Sequence, residues 1–190
     1  MKYLFFIILY FFSIKYYLCL AQYKATGKHH SYVSNKKYIP VSKNAQFDLS
    51  TEPIKVSSDS SQKLRTDIIK YAEKFLGLKY KFAGQNPIGF DCAGYVSYVF
   101  RKYNIHLYTS ATYMHKQGKT IELRDAREGD VIFFTSTTSK AIGHVGIVIS
   151  KFGEETRFIH SSSGKEYCVK FECLEPNYIK RYLGVKRMIE

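Results

Sequence analysis

A chain of 190 residues has room for one domain plus extensions. Its 29 Lys and Arg against 16 Asp and Glu give a formal charge of +13, which favours polyanionic surroundings or a polyanionic substrate, with nucleic acid and the anionic cell wall as the two readings. The basic residues are spread along the whole chain without a recognisable nucleic-acid module, which argues for a generally basic protein and against a nucleic-acid partner.

The opening "MKYLFFIILYFFSIKYYLCLAQ" has a basic start at Lys2, an apolar run from Leu4 to Phe12, and small residues at Cys19 and Ala21, the layout of a signal peptide over 1–21 cleaved after Ala21. A membrane anchor is the competing reading, but Lys15 interrupts the run well short of the ~20 apolar residues a spanning helix needs. Acylation at Cys19 is disfavoured because "YYLC" lacks the small residues expected before a modified cysteine. The expectation is export to the cell envelope, periplasm or exterior. The remaining chain then keeps Cys92, Cys168 and Cys173, an odd number in a compartment that allows disulfides, so at least one thiol stays unpaired. In a regular strand Cys168 and Cys173 would point to opposite faces, and only an intervening turn could join them.

Residues 22–62 are rich in Ser, Lys, Asn, Tyr and Thr without a sustained period of 2 or 3.6, and predict a disordered polar spacer. His29 and His30 within it lack further ligands and are read as solvated. From Lys63, the residues Leu64, Ile68, Ala72, Phe75 and Leu76 fall on one helical face, and Gly77 supplies a stop. A loop, "LKYKFAGQNPIGF", precedes a second helix from Cys92 to Tyr103, with Asp91 at its cap and Val96, Val99, Phe100 and Tyr103 inward. A shorter third helix spans 110–117 and ends at Gly118, with His106 and His115 in a polar, solvated stretch around it. Strand patterns follow at 130–134, 144–150, 156–161, 166–172 and 184–190. Helices first and strands second imply an α+β domain over 63–190, with the helices packed on a central antiparallel sheet.

Cys92 at a helix N-terminus faces unpaired backbone N–H groups and the positive end of the dipole, which lower a thiol pKa, although an isolated cysteine is more often a buried core residue. Candidate partners lie in "HVGIVISKFGEETRFIH". Folded as an antiparallel hairpin centred near 152 or 153, it sets His144 opposite or diagonal to His160 on one face, at Cβ separations of about 4.5 to 8 Å. One imidazole can then act as base while the other orients it. Two structural histidines, or a zinc site from Cys92, His144 and His160, remain open at this point.

"YKFAGQNPIGFDCAGYVSYVF", "REGDVIFF", "GHVGIVI", "RFIHSSS" and "NYIKRYLGVKRM", in that order over essentially all of 63–190, resemble the NlpC/p60 family of papain-like bacterial cell-wall cysteine peptidases. The resemblance implies a metal-free and cofactor-free endopeptidase acting on peptidoglycan stem peptides, commonly between D-γ-glutamate and the diamino acid; a monomer is the separate expectation for its oligomeric state. By matching motif, it implies Cys92 as nucleophile, His144 as general base, His160 as orienting residue and Tyr80 as an oxyanion donor with the Cys92 N–H. Asp91 matches an acidic residue that caps the helix or holds substrate. Ala93 departs from the family serine after the cysteine, and Ala83 with Gly84 from a pair of glycines. The same three residues would also serve an amidase or acyl transferase, and a non-catalytic wall-binding module is the remaining alternative.

Overall fold

The computed structural model describes residues 58–190. The predicted signal peptide, Cys19, His29, His30 and the spacer up to residue 57 lie outside the described residues. The first helix, α1 (Ser58–Glu73), begins five residues before the predicted Lys63, within the stretch assigned to the spacer. Its first turns look polar in sequence because they bury polar side chains. Arg65 is 1% exposed, donating from Nη1 to Asp130 Oδ1 at 3.2 Å and from Nη2 to the Ile189 carbonyl. Ile68, Ala72 and Phe75 are buried as the period predicts, whereas Leu76 is exposed beyond the helix end.

A two-stranded hairpin, β1 (Gln85–Asn86) with β2 (Gly89–Phe90), occupies what the sequence gives as a loop. Next come α2 (Cys92–Arg101), ending two residues before the predicted Tyr103, and α3 (Ala111–Met114), a single turn where an eight-residue helix was expected. Then follow β3 (Lys119–Ile121), a 3-10 turn at Leu123–Asp125, β4 (Val131–Thr135), β5 (Ile142–Val148), β6 (Arg157–Ser161), β7 (Val169–Cys173), α4 (Pro176–Ile179) and β8 (Tyr182–Arg187). The six longer-range strands form one antiparallel sheet in the order β3-β8-β4-β5-β6-β7. The predicted α+β architecture holds.

One face of the sheet, through Val131, Phe133, Val145, Ile147, Ile159 and Val169, packs against α1 and α2 by way of Ile68, Ala72, Val96, Val99 and Phe100. The other face carries Ile121, Ile132, Phe134, Val148, Phe158, Tyr182 and Val185 under a cover of Leu123, Ala126, Leu174 and Tyr178. At β4 both faces are therefore buried, and "VIFF" is a continuous apolar run for that reason. Each such fully buried side chain contributes roughly 1.5–3 kcal/mol of transfer free energy, so the core fixes α2 firmly over β5. Tyr95 Oη adds a hydrogen bond to the Ala72 carbonyl at 2.9 Å, tying α2 to α1.

Candidate active site

Cys92 is the first residue of α2, and Asp91 is its N-cap. The Asp91 carboxylate accepts from the Gly94 N–H at 2.6 Å and also from the N–H groups of Ala93 and Ala83. Burial nevertheless leaves the Asp91 pKa above its ordinary value. The loop preceding the helix is clamped onto it, with the Asp91 N–H donating to the Gly84 carbonyl at 2.9 Å. A Cβ added to Gly94 would stand 2.1 Å from that same carbonyl oxygen, so the approach requires glycine. On the other side, Ser161 Oγ donates to the Phe90 carbonyl at 2.8 Å and fastens β6 to the residues just before Cys92.

The thiol lies against β5 on both sides of His144. Cys92 Sγ donates to the Gly143 carbonyl at 4.0 Å, and the Val145 N–H also points at the sulfur. The expectation of a lowered thiol pKa does not hold. Burial, helped by the Asp91 charge, outweighs the N–H groups of Val145, Ala93 and Cys92 and pushes the thiol up to about 11.

The β5–β6 hairpin pairs Ile147 with Ile159 and Val148 with Phe158, a register centred on residue 153 that makes His144 and His160 diagonal neighbours. His144 Nε2 and His160 Nδ1 are 2.6 Å apart, with the rings nearly perpendicular at 84°. The facing nitrogens are spent on each other, so one zinc held by Cys92, His144 and His160 together would require this hydrogen bond to break. Burial lowers the His144 pKa from 6.5 to about 4, with the Arg181 charge adding to the effect. Burial also holds His160, which is wholly inaccessible, well below 6.5, with the charges of His144, Lys170 and Arg181 contributing. At neutral pH the resting pair is therefore a thiol beside an uncharged imidazole, with His144 Nδ1 not engaged by His160.

Tyr80 sits close enough to Cys92 and Asp91 to sense both charges. Burial first, then those charges and Tyr167, push its phenol up to about 12, which keeps the hydroxyl a donor. Tyr167 fixes it from behind: the Tyr80 N–H donates to the Tyr167 carbonyl at 2.9 Å and the rings are 5.0 Å apart, with Tyr167 at φ 53°. Ala93 is 3% exposed and faces the core, so the position that departs from the family serine is a buried one.

His106 and His115, expected to be solvated, are both half-buried. The His115 ring stands edge-on to Phe133 at 4.9 Å, and the His106 carbonyl accepts from Gln117 Nε2 at 3.1 Å. Cys168 is a free thiol in an isolated bridge with Lys79 and is not joined to Cys173. Sequence reasoning missed Tyr178 and Arg181, which close the rear of the histidine pair. Tyr178 lies 5.8 Å from His160 and 6.4 Å from His144, and Arg181 lies over the Tyr178 ring at 4.8 Å. Both fall inside the quoted "NYIKRYLGVKRM", but nothing in its spacing points at β5 and β6.

A model of the NlpC/P60 family matches residues 77–187. The chain is 32% identical over 123 residues to a gamma-DL-glutamyl hydrolase of Bacillus subtilis, covering 63% of this chain and 28% of that protein. It is 30% identical over 176 residues to a gamma-D-glutamyl-L-lysine dipeptidyl-peptidase of the same organism, covering 87% and 58%. Among solved structures, an NlpC/P60 family protein from Bacillus cereus superposes with a TM-score of 0.60 at 30% identity, covering 66% of this chain and 40% of that one. The chain thus spans between 28% and 58% of the length of these two curated relatives.

Proposed function

The chain belongs to the NlpC/P60 family, and from that premise we propose that it is an exported cysteine peptidase that hydrolyses peptidoglycan stem peptides between D-γ-glutamate and the diamino acid. The observation that carries the reading is the 2.6 Å bond between His144 Nε2 and His160 Nδ1, beside a thiol held at the start of α2. The glutamyl specificity is suggested by the names of the two Bacillus subtilis relatives, and export by the signal-like first 21 residues.

In this reaction Cys92 Sγ attacks the amide carbonyl as its proton passes to His144 Nδ1. Proton transfer accompanies attack because thiol and imidazole are both neutral at rest. The Cys92 N–H and the Tyr80 hydroxyl hold the oxyanion. His144 then protonates the departing amine, leaving a thioester, and takes a proton from the water that hydrolyses it. His160 accepts from His144 Nε2–H throughout, which keeps Nδ1 free to act as base. Asp91 caps the helix that carries the nucleophile.

Mass spectrometry of purified muropeptides after digestion tests the bond. The expected products are a fragment ending in D-γ-glutamate and one with a newly freed amine on the diamino acid. Release of an intact stem peptide from the sugar would instead identify an amidase, and transfer of the acyl group to an added amine an acyl transferase. Binding to cell walls without any new product would identify a wall-binding module.

A further inference from the structure

His160 Nε2 is fully buried and has no hydrogen-bond partner. The other ring nitrogen, Nδ1, is engaged by His144. In the neutral imidazole one nitrogen carries the proton and the other a lone pair. If Nδ1 carried it, His160 would donate to His144 Nε2, and the proton of His144 would sit on Nδ1, where a thiol proton has to go. If Nε2 carries it, His160 accepts from His144 and the base is free, but a buried N–H must then be accommodated.

Three rings surround His160: His144 at 4.8 Å, Phe158 at 5.1 Å and tilted by 58°, and Tyr178 at 5.8 Å and perpendicular at 90°. The negative face of an aromatic ring accepts an N–H edge and repels a lone pair. The Tyr178 ring is held in place by the Arg181 guanidinium over it and by Arg181 Nη1 donating to the Thr135 carbonyl at 3.1 Å. It also packs on Phe134 at 5.0 Å and on Phe158 at 5.1 Å.

We propose that Tyr178 is a positioning residue that selects the Nε2–H tautomer of His160 through its ring face, and through it the Nδ1-basic form of His144. The functional consequence rests on the peptidase reading, while the tautomer itself does not. The hydroxyl bonds Arg181 and makes no hydrogen bond to His160, so Tyr178→Phe keeps the π face and retains the effect. Tyr178→Leu fills much of the space without offering a π face.

The test is the nitrogen-15 spectrum of the histidine rings at neutral pH, with kcat/KM on a stem peptide measured in parallel. In the unmodified protein and Tyr178→Phe, His160 should carry its proton on Nε2. In Tyr178→Leu the proton should move to Nδ1 and kcat/KM should fall roughly a hundredfold, the lower end of a general-base contribution, through kcat rather than KM. An Nδ1–H tautomer in the unmodified protein would overturn the proposal even if Tyr178→Leu failed to fold, as would a folded Tyr178→Leu with an unchanged tautomer. If the unmodified protein cleaved no stem peptide, the peptidase reading would fail while the spectra still decided this proposal.

Discussion

His144 and His160 are held as uncharged rings by burial, which makes the folded state sensitive to acid. Both titrate below the ordinary 6.5 in the folded protein, His144 near 4, so the unfolded chain takes up protons first as the pH falls. The stability conferred by the neutral pair is complete above about pH 6.5 and is lost as the pH drops toward 4. The thermal midpoint should therefore fall between neutral pH and 4, and His160→Asn, which removes one titrating ring, should flatten that slope. An unchanged slope would mean that other groups govern the acid sensitivity. Cys92 follows from the same burial: dipole and N–H groups favour thiolate at α2, but desolvation beside Asp91 wins.

The elements that matter most are the hairpin β5–β6 and the junction between the 81–90 loop and α2. Gly94 lies inside a helix, where Ala is normally the better residue by about 1 kcal/mol. Here a Cβ would meet the Gly84 carbonyl oxygen at 2.1 Å, a backbone atom that cannot move aside without disturbing Cys92. Gly94→Ala should therefore destabilise by about 1–3 kcal/mol, the usual cost of overpacking, read as a lower urea midpoint, and should also reduce activity. A stabilised variant would contradict the close approach. The hairpin register was legible in sequence because two alternating runs flank the turn at Gly153, and that alone brings residue 144 near 160. The capped start of α2 was legible from Asp91 and the apolar period behind it. The short elements were not, since β1, β2, β3 and α4, of two to four residues, are too brief to show a period. The start of α1 was hidden because the side chain it buries is the polar Ser61, and the next buried one is Arg65, whose partners Asp130 and Ile189 lie more than sixty residues away. Tyr178 was hidden for the same reason, because only the folded sheet sets it beside His160.

For the whole molecule, the charge of +13 adds to the peptidase proposal the expectation that anionic cell-wall polymers attract the protein. Retention on purified walls should weaken steadily as salt is raised from 0.05 to about 0.5 M, since screening shortens the reach of surface charge. Salt-independent retention would point to a specific contact instead. The relatives are longer than this chain, and the match centres on the domain that carries Cys92, His144 and His160. The central claim is that this domain cleaves stem peptides through Cys92. Its most direct test is a digest of purified muropeptides by the unmodified protein and by Cys92→Ala in parallel, with the fold of both checked by circular dichroism. New D-γ-glutamyl-ended fragments with the unmodified protein, and none with a folded Cys92→Ala, are the predicted result. Equal cleavage by the two proteins would contradict it.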